Sequence, residues 1–144
     1  MRIYLTKVTF ESEEKDSKFY REANDLISIL KKLGHEVVYV ADDKFNNYEE
    51  IYKLIASCNC LLAITDSYSL SSTWRVSEIT YASNGCGAFE TVDFHIPVFL
   101  YKAIDDCDSS FLTELVKMHE VFTLPGDVNS AIQTINVTMK NLDH

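Results

Sequence analysis

Glycine and proline are scarce in this 144-residue chain, with 4 and 2 copies, too few for collagen-like repetition or a Pro/Gly-rich low-complexity tract. Basic residues are a minority as well. The 13 Lys and Arg against 22 Asp and Glu give a formal charge of −9, which argues against nucleic acid or an anionic membrane surface as partner, because phosphate binding is dominated by cationic contacts. No apolar run approaches the roughly 20 residues of a membrane-spanning helix. The opening MRIYLTKVTF is too short and too interrupted in its apolar stretch for a signal peptide, and reads as a strand needed inside the fold. Cys58, Cys60, Cys86 and Cys107 show neither CxxC spacing nor a close histidine, so no metal site is expected. They are read as reduced thiols of a cytoplasmic protein.

What is present is a core-forming chain. Hydrophobic residues make up 47% of it, and at this length one domain, residues 1–144, can bury roughly 68–70% of its unfolded surface without disulfides or metal. Short apolar runs alternate with amphipathic segments. The runs predict strands at residues 2–8, 35–41, 60–65, 96–101 and 121–124. Between the first two, Phe19, Ala23, Leu26, Leu30 and Leu33 fall on one helical face, ahead of Gly34 as a left-handed stop. Asn47 with Glu50 forms a capping box for a second helix with Ile51, Leu54 and Ile55 inward. Further helices are predicted at residues 73–83 and 111–118, and in a last segment with Ile132, Ile135, Met139 and Leu142 facing inward.

This alternation implies right-handed crossovers in an α/β fold, a flavodoxin-like open parallel sheet of five strands in the order 2-1-3-4-5 with helices on both faces. Ligands of such sheets bind beyond the carboxyl ends of the strands, near the point where strand order reverses. That nominates three loops, at residues 6–10, 42–47 and 65–78. The first brings Thr6, Lys7 and Phe10 and the second Asp42; the third is serine-rich and includes Ser67 and Tyr68.

The third loop and its helix read DSYSLSSTWRVSEITYA from Asp66 to Ala82. Ser72 stands where a hydroxyl can cap the helix, and Trp74 and Glu78, at i and i+4, share a face. An aromatic platform beside a carboxylate, next to a helix amino terminus able to receive phosphate oxygens, makes a pocket for a nucleotide. Ser72, Trp74 and Glu78 in this spacing resemble the Toll/interleukin-1 receptor (TIR) domain. The Gly34-His35-Glu36-Val37 strand entry, the IASC helix end and the I-P-V strand start fit the same order. Arg75 stands where many TIR domains have cysteine.

The resemblance implies an NAD-cleaving enzyme of the bacterial standalone type, similar to the signal-producing component of Thoeris-type antiphage defence. NAD is then a substrate, no cofactor is needed, and an ADP-ribose derivative acts on a separate effector protein. It further implies that Glu78 stabilises the ribosyl cation and that Ser72 and Trp74 shape the nicotinamide side. Residues 6–10 contact the rest of the nucleotide, and Arg75 is a candidate partner for its pyrophosphate. TIR domains commonly complete their sites across protomers, so a homo-oligomer is an open alternative to a monomer.

MRIYLT, GHEVV and Glu78-Ile79-Thr80-Tyr81-Ala82 also resemble the nucleoside 2-deoxyribosyltransferase and deoxynucleotide N-glycosidase family, in which a glutamate attacks the sugar. No glycine precedes Glu78 in the manner of that family. Both resemblances converge on Glu78 and on one bond, from an anomeric carbon to a base nitrogen. Breaking it builds oxocarbenium character that a fixed anion stabilises more in the transition state than in the ground state. Cationic nicotinamide departs neutral and needs no acid, whereas a neutral base calls for a second carboxylate, for which Asp42 and Asp66 are the candidates. The plainer readings stand beside these. A helix glutamate is ordinarily solvated, Trp74 alone is ordinarily core, and a TIR domain can be a non-catalytic adaptor that acts by self-association. His35, His95, His119 and His144 have no telling partner, and the Asn136-Val137-Thr138 triplet is a chance glycosylation match.

Overall fold

A computed structural model describes residues 1–6, 18–39, 48–65, 73–87, 91–102 and 120–142. The apolar runs become β1 (Arg2–Thr6), β2 (Glu36–Val38), β3 (Cys60–Thr65), β4 (Val98–Lys102) and β5 (Val121–Thr123). These pair in one sheet, β2-β1-β3-β4-β5, with every pairing parallel. The helices among the described residues are α1 (Lys18–Lys32), α2 (Tyr48–Ala56), α3 (Thr73–Asn84) and α4 (Val128–Leu142). The expected helix at 111–118 lies outside the described residues.

The pleat sends alternate side chains to opposite faces of the sheet, and each face has its own helical cover. Ile3, Leu5, Leu62, Ile64, Phe99 and Tyr101 pack with Leu26 and Leu30 of α1 and Ala131, Ile132 and Ile135 of α4. Tyr4, Leu61, Ala63, Val98 and Leu100 pack on the other side with Ile51 and Ile55 of α2 and Ile79 and Ala82 of α3. Covered twice, the central strand must be apolar on both faces, and Cys60 through Ile64 are at most 1% exposed.

Several boundaries move for identifiable reasons. At the sheet's edge, β2 has β1 as its strand neighbour; its pairing ends at Val38, and Tyr39 is half exposed. Proline has no N–H to give a ladder, so β4 begins after Pro97, whose carbonyl accepts from Leu61 N–H at 2.9 Å. Leu33, expected inward, is 53% exposed. It occupies the capping position of a Schellman turn in which Gly34 N–H reaches the Lys31 carbonyl, His35 N–H reaches the Leu30 carbonyl, and Gly34 takes φ +92°. Leu142, also expected inward, is 36% exposed. The 15 residues of α4 span roughly 22 Å against roughly 17 Å for a five-residue strand, so its last turn outruns the sheet. No helix among the described residues is long and apolar enough to cross a membrane.

Candidate active site

Helix α3 follows β3 and runs back across the sheet toward the start of β4. Its far end is pinned there. Gly85 N–H reaches the Tyr81 carbonyl at 2.8 Å, Ile96 N–H reaches the Ala82 carbonyl at 2.8 Å, and Val92 N–H reaches the Gly85 carbonyl at 3.0 Å. Gly85 sits at φ +74°, and a Cβ on it would meet the Val92 carbonyl oxygen at 2.1 Å, so only glycine closes this return.

The buried stripe of α3 is unusual for a helix that covers a sheet. Among its described side chains it consists of Glu78, Ile79, Ala82 and Ser83, none more than 3% exposed. Among the described residues, the buried polar or charged side chains are Thr6, Glu78 and Ser83. Ser83 is satisfied by its own helix, its hydroxyl donating to the Thr80 carbonyl at 3.2 Å. Thr6 alternates with Tyr4 and therefore belongs to the α2/α3 side, level with Ala63 and Leu100 in the register. Its Oγ1 has no hydrogen-bond partner among the described residues.

Glu78 lies on that same side, one helical turn nearer than Ala82 to the carboxyl ends of the strands. Taking a carboxyl out of water is expensive. An aliphatic side chain would fill the interface without that cost, and a buried ionisable group on a doubly wound sheet is a candidate functional group.

On either side of Glu78 in the sequence, Ser77 and Tyr81 make contacts with α2. The Tyr52 hydroxyl on α2 lies 2.6 Å from Ser77 Oγ on α3. The Tyr52 ring stacks on Tyr81 at 4.2 Å and 12°, with Tyr48 at 5.7 Å from Tyr52 and Phe94 at 5.2 Å from Tyr81 continuing the row. The available signal was the i, i+4 spacing of Tyr48 and Tyr52 on one helix and of Ser77 and Tyr81 on the next.

Of the residues nominated from sequence, Thr6 and Glu78 are therefore brought to one side of the sheet. Trp74 and Arg75 fall in the first turn of α3, Trp74 four residues ahead of Glu78. Lys7, Phe10, Asp42, Asp66, Ser67, Tyr68 and Ser72 lie outside the described residues. The thiols are placed for packing. Cys58 and Cys60 are buried and Cys86 is exposed, all three free, and burial pushes the Cys60 thiol up to about 12, far from the range of a thiolate nucleophile.

No family model matches the sequence. No curated protein matches it either. Solved structures do. The TIR domains of the activated Roq1 resistosome, which directly recognizes the pathogen effector XopQ, match with a TM-score of 0.53 at 14% identity, over 97% of this chain and 98% of that one. The Clostridium botulinum CMP N-glycosidase BcmB matches with a TM-score of 0.50 at 15% identity, over 96% of this chain and 99% of that one. Both likenesses are of fold. One architecture is shared along nearly the whole chain with a TIR domain and with a nucleotide N-glycosidase.

Proposed function

We propose that the protein cleaves the bond between nicotinamide and ribose in NAD, with Glu78 stabilising the ribosyl cation. The observation that carries this reading is the burial of Glu78, 1% exposed, on the side of the sheet that also holds Thr6. An anion fixed in a low-dielectric setting interacts far more strongly with developing positive charge than one in water.

NAD suits a solitary carboxylate. Its nicotinamide is cationic before cleavage and neutral after it, so the leaving group takes no proton. The spacing of Ser72, Trp74 and Glu78 and the TIR fold of one solved neighbour support the same substrate. In this reading Ser72 and Trp74 shape the nicotinamide side, with Ser67 and Tyr68 in the same loop. Arg75 meets the pyrophosphate, Thr6, Lys7 and Phe10 hold the rest of the dinucleotide, and water or a hydroxyl of the substrate captures the cation. The ADP-ribose product then serves as a signal to a separate effector.

A second reading rests on the likeness to the CMP N-glycosidase. There the substrate is a nucleoside or deoxynucleoside monophosphate, Glu78 is a nucleophile forming a covalent sugar intermediate, and Asp42 or Asp66 protonates the departing base. Incubation of the wild-type protein and Glu78→Gln with NAD, CMP and deoxynucleoside monophosphates, with released base measured by chromatography over a range of protein concentrations, decides between them. Nicotinamide release that Glu78→Gln abolishes supports the first reading, and base release from the monophosphates alone supports the second. No release from any substrate at any concentration supports the adaptor.

A further inference from the structure

Glu78 can act on a sugar only if α3 is held at one rotation and one height, and the contacts of its own turn show what holds it. Against the sheet, the described side chains of α3 contribute Ile79 and Ala82 to the apolar packing. Apolar packing is non-directional, whereas a hydrogen bond fixes both distance and angle. The directional contact comes from α2. Tyr52 sets its hydroxyl 2.6 Å from Ser77 Oγ and lays its ring on Tyr81. Ser77 immediately precedes Glu78 and Tyr81 follows it by three residues, so the two contacts bracket the carboxyl within about one turn. Tyr48 against Tyr52 and Phe94 against Tyr81 extend the stack at its two ends.

We propose that Tyr52 and Ser77 are positioning residues for Glu78: their hydroxyl pair sets the rotation of α3 and thereby aims the carboxyl. The inference rests on Glu78 being the catalytic group of N-glycosidic cleavage, where a misplacement of about 1 Å can lower the rate about 10²-fold.

The test uses Tyr52→Phe, which keeps the ring stack and deletes the hydroxyl, Ser77→Ala, which deletes the partner, and Ser77→Thr, which returns a hydroxyl. Each is assayed for base release from NAD and CMP, and the carboxyl-carbon NMR resonance of Glu78 is recorded in the full chain without substrate. Tyr52→Phe and Ser77→Ala should lower kcat roughly tenfold with KM within about twofold, the worth of one directional hydrogen bond. Ser77→Thr should recover most of the loss. The Glu78 resonance should be displaced or split in Tyr52→Phe and Ser77→Ala. It should be unmoved in Tyr101→Phe, which deletes a buried tyrosyl hydroxyl on the opposite face of the sheet.

An unmoved resonance with unchanged kcat overturns the proposal. So does a parallel loss of kcat and melting temperature that threonine does not rescue. A wild-type protein that releases no base overturns the functional reading instead, and the resonance alone then decides the brace: displacement in Tyr52→Phe supports it, and constancy overturns it.

Discussion

The hydroxyls of Tyr52 and Ser77 meet at 2.6 Å across the α2–α3 interface, and the residue after Ser77 is Glu78. This contact joins two consecutive covers of one sheet face at the turn that carries the carboxyl. The apolar residues of α3 hold it onto the sheet, and the polar contact says how it is turned. The division is common where chemistry is grafted onto a scaffold: burial supplies most of the free energy, and a few directional bonds supply placement.

Glu78→Gln is the first variant to make. It is isosteric and keeps a polar group at the site, so the melting temperature should move by only a few degrees, while base release should fall about 10²- to 10³-fold, the usual loss when a preorganised electrostatic partner of the transition state is removed. Initial rates beside a thermal melt check both halves. A variant as active as the wild type would remove Glu78 from the chemistry.

Gly85 and Gly34 make a paired test of backbone strain. Both have positive φ, yet a Cβ on Gly85 would lie 2.1 Å from the Val92 carbonyl oxygen, whereas one on Gly34 meets nothing within 4 Å. Gly34→Ala should cost roughly 1–2 kcal/mol, the left-handed penalty alone. Gly85→Ala adds overpacking against backbone and should cost roughly 2–4 kcal/mol. Urea unfolding of the two variants measures the difference, and equal losses would contradict the tight return from α3 to β4.

How far the sequence foretold this arrangement follows from what each signal encodes. Runs apolar on both faces, such as Cys60 to Thr65, report a doubly covered strand directly, so the strand order was legible. Helical periodicity reports a face but not how much of it finds a partner. Hence Leu33 and Leu142 were assigned inward, although one caps its helix and the other lies past the sheet. The spacing of Ser72, Trp74 and Glu78 made the carboxyl conspicuous, but its burial, at 1% exposure, was not written in that spacing. The i, i+4 spacings of Tyr48 with Tyr52 and of Ser77 with Tyr81 mark a face on each helix, but the pairing of Tyr52 with Ser77 depends on how the two helices lie against each other, which neither segment records alone. The approach of Gly85 to Val92 is hidden for the same reason.

Thiol chemistry separates the cysteines. Cys86 is exposed, whereas burial raises Cys58 and pushes Cys60 up to about 12. Alkylation of the native protein at pH 8 should modify Cys86 within minutes and leave Cys58 and Cys60 intact until denaturant is added. Peptide mass mapping after timed quenching distinguishes these sites from Cys107. Native modification of Cys60 at the rate of Cys86 would contradict its place in the core.

Tyr101 contributes to how the protein responds to alkali. Its hydroxyl has one proton to give and faces two acceptors, the Gly126 carbonyl at 2.9 Å and Glu22 Oε2 at 3.3 Å. Burial, reinforced by the Glu22 carboxylate, pushes its pKa up from 10.0 to about 12. The folded state therefore holds this proton more tightly than the unfolded chain, so the stabilisation is complete below pH 10 and is lost as pH rises toward 12. The Cys60 thiol acts in the same direction, starting from its ordinary 9.0. Denaturant midpoints measured from pH 8 to 11 should fall with pH in the wild type. In Tyr101→Phe they should start lower, by about 1 kcal/mol for the lost hydrogen bonding, and fall less steeply above pH 10, leaving the Cys60 component. Parallel curves for the two proteins would show that Tyr101 ionises as readily in the folded state as in the unfolded chain.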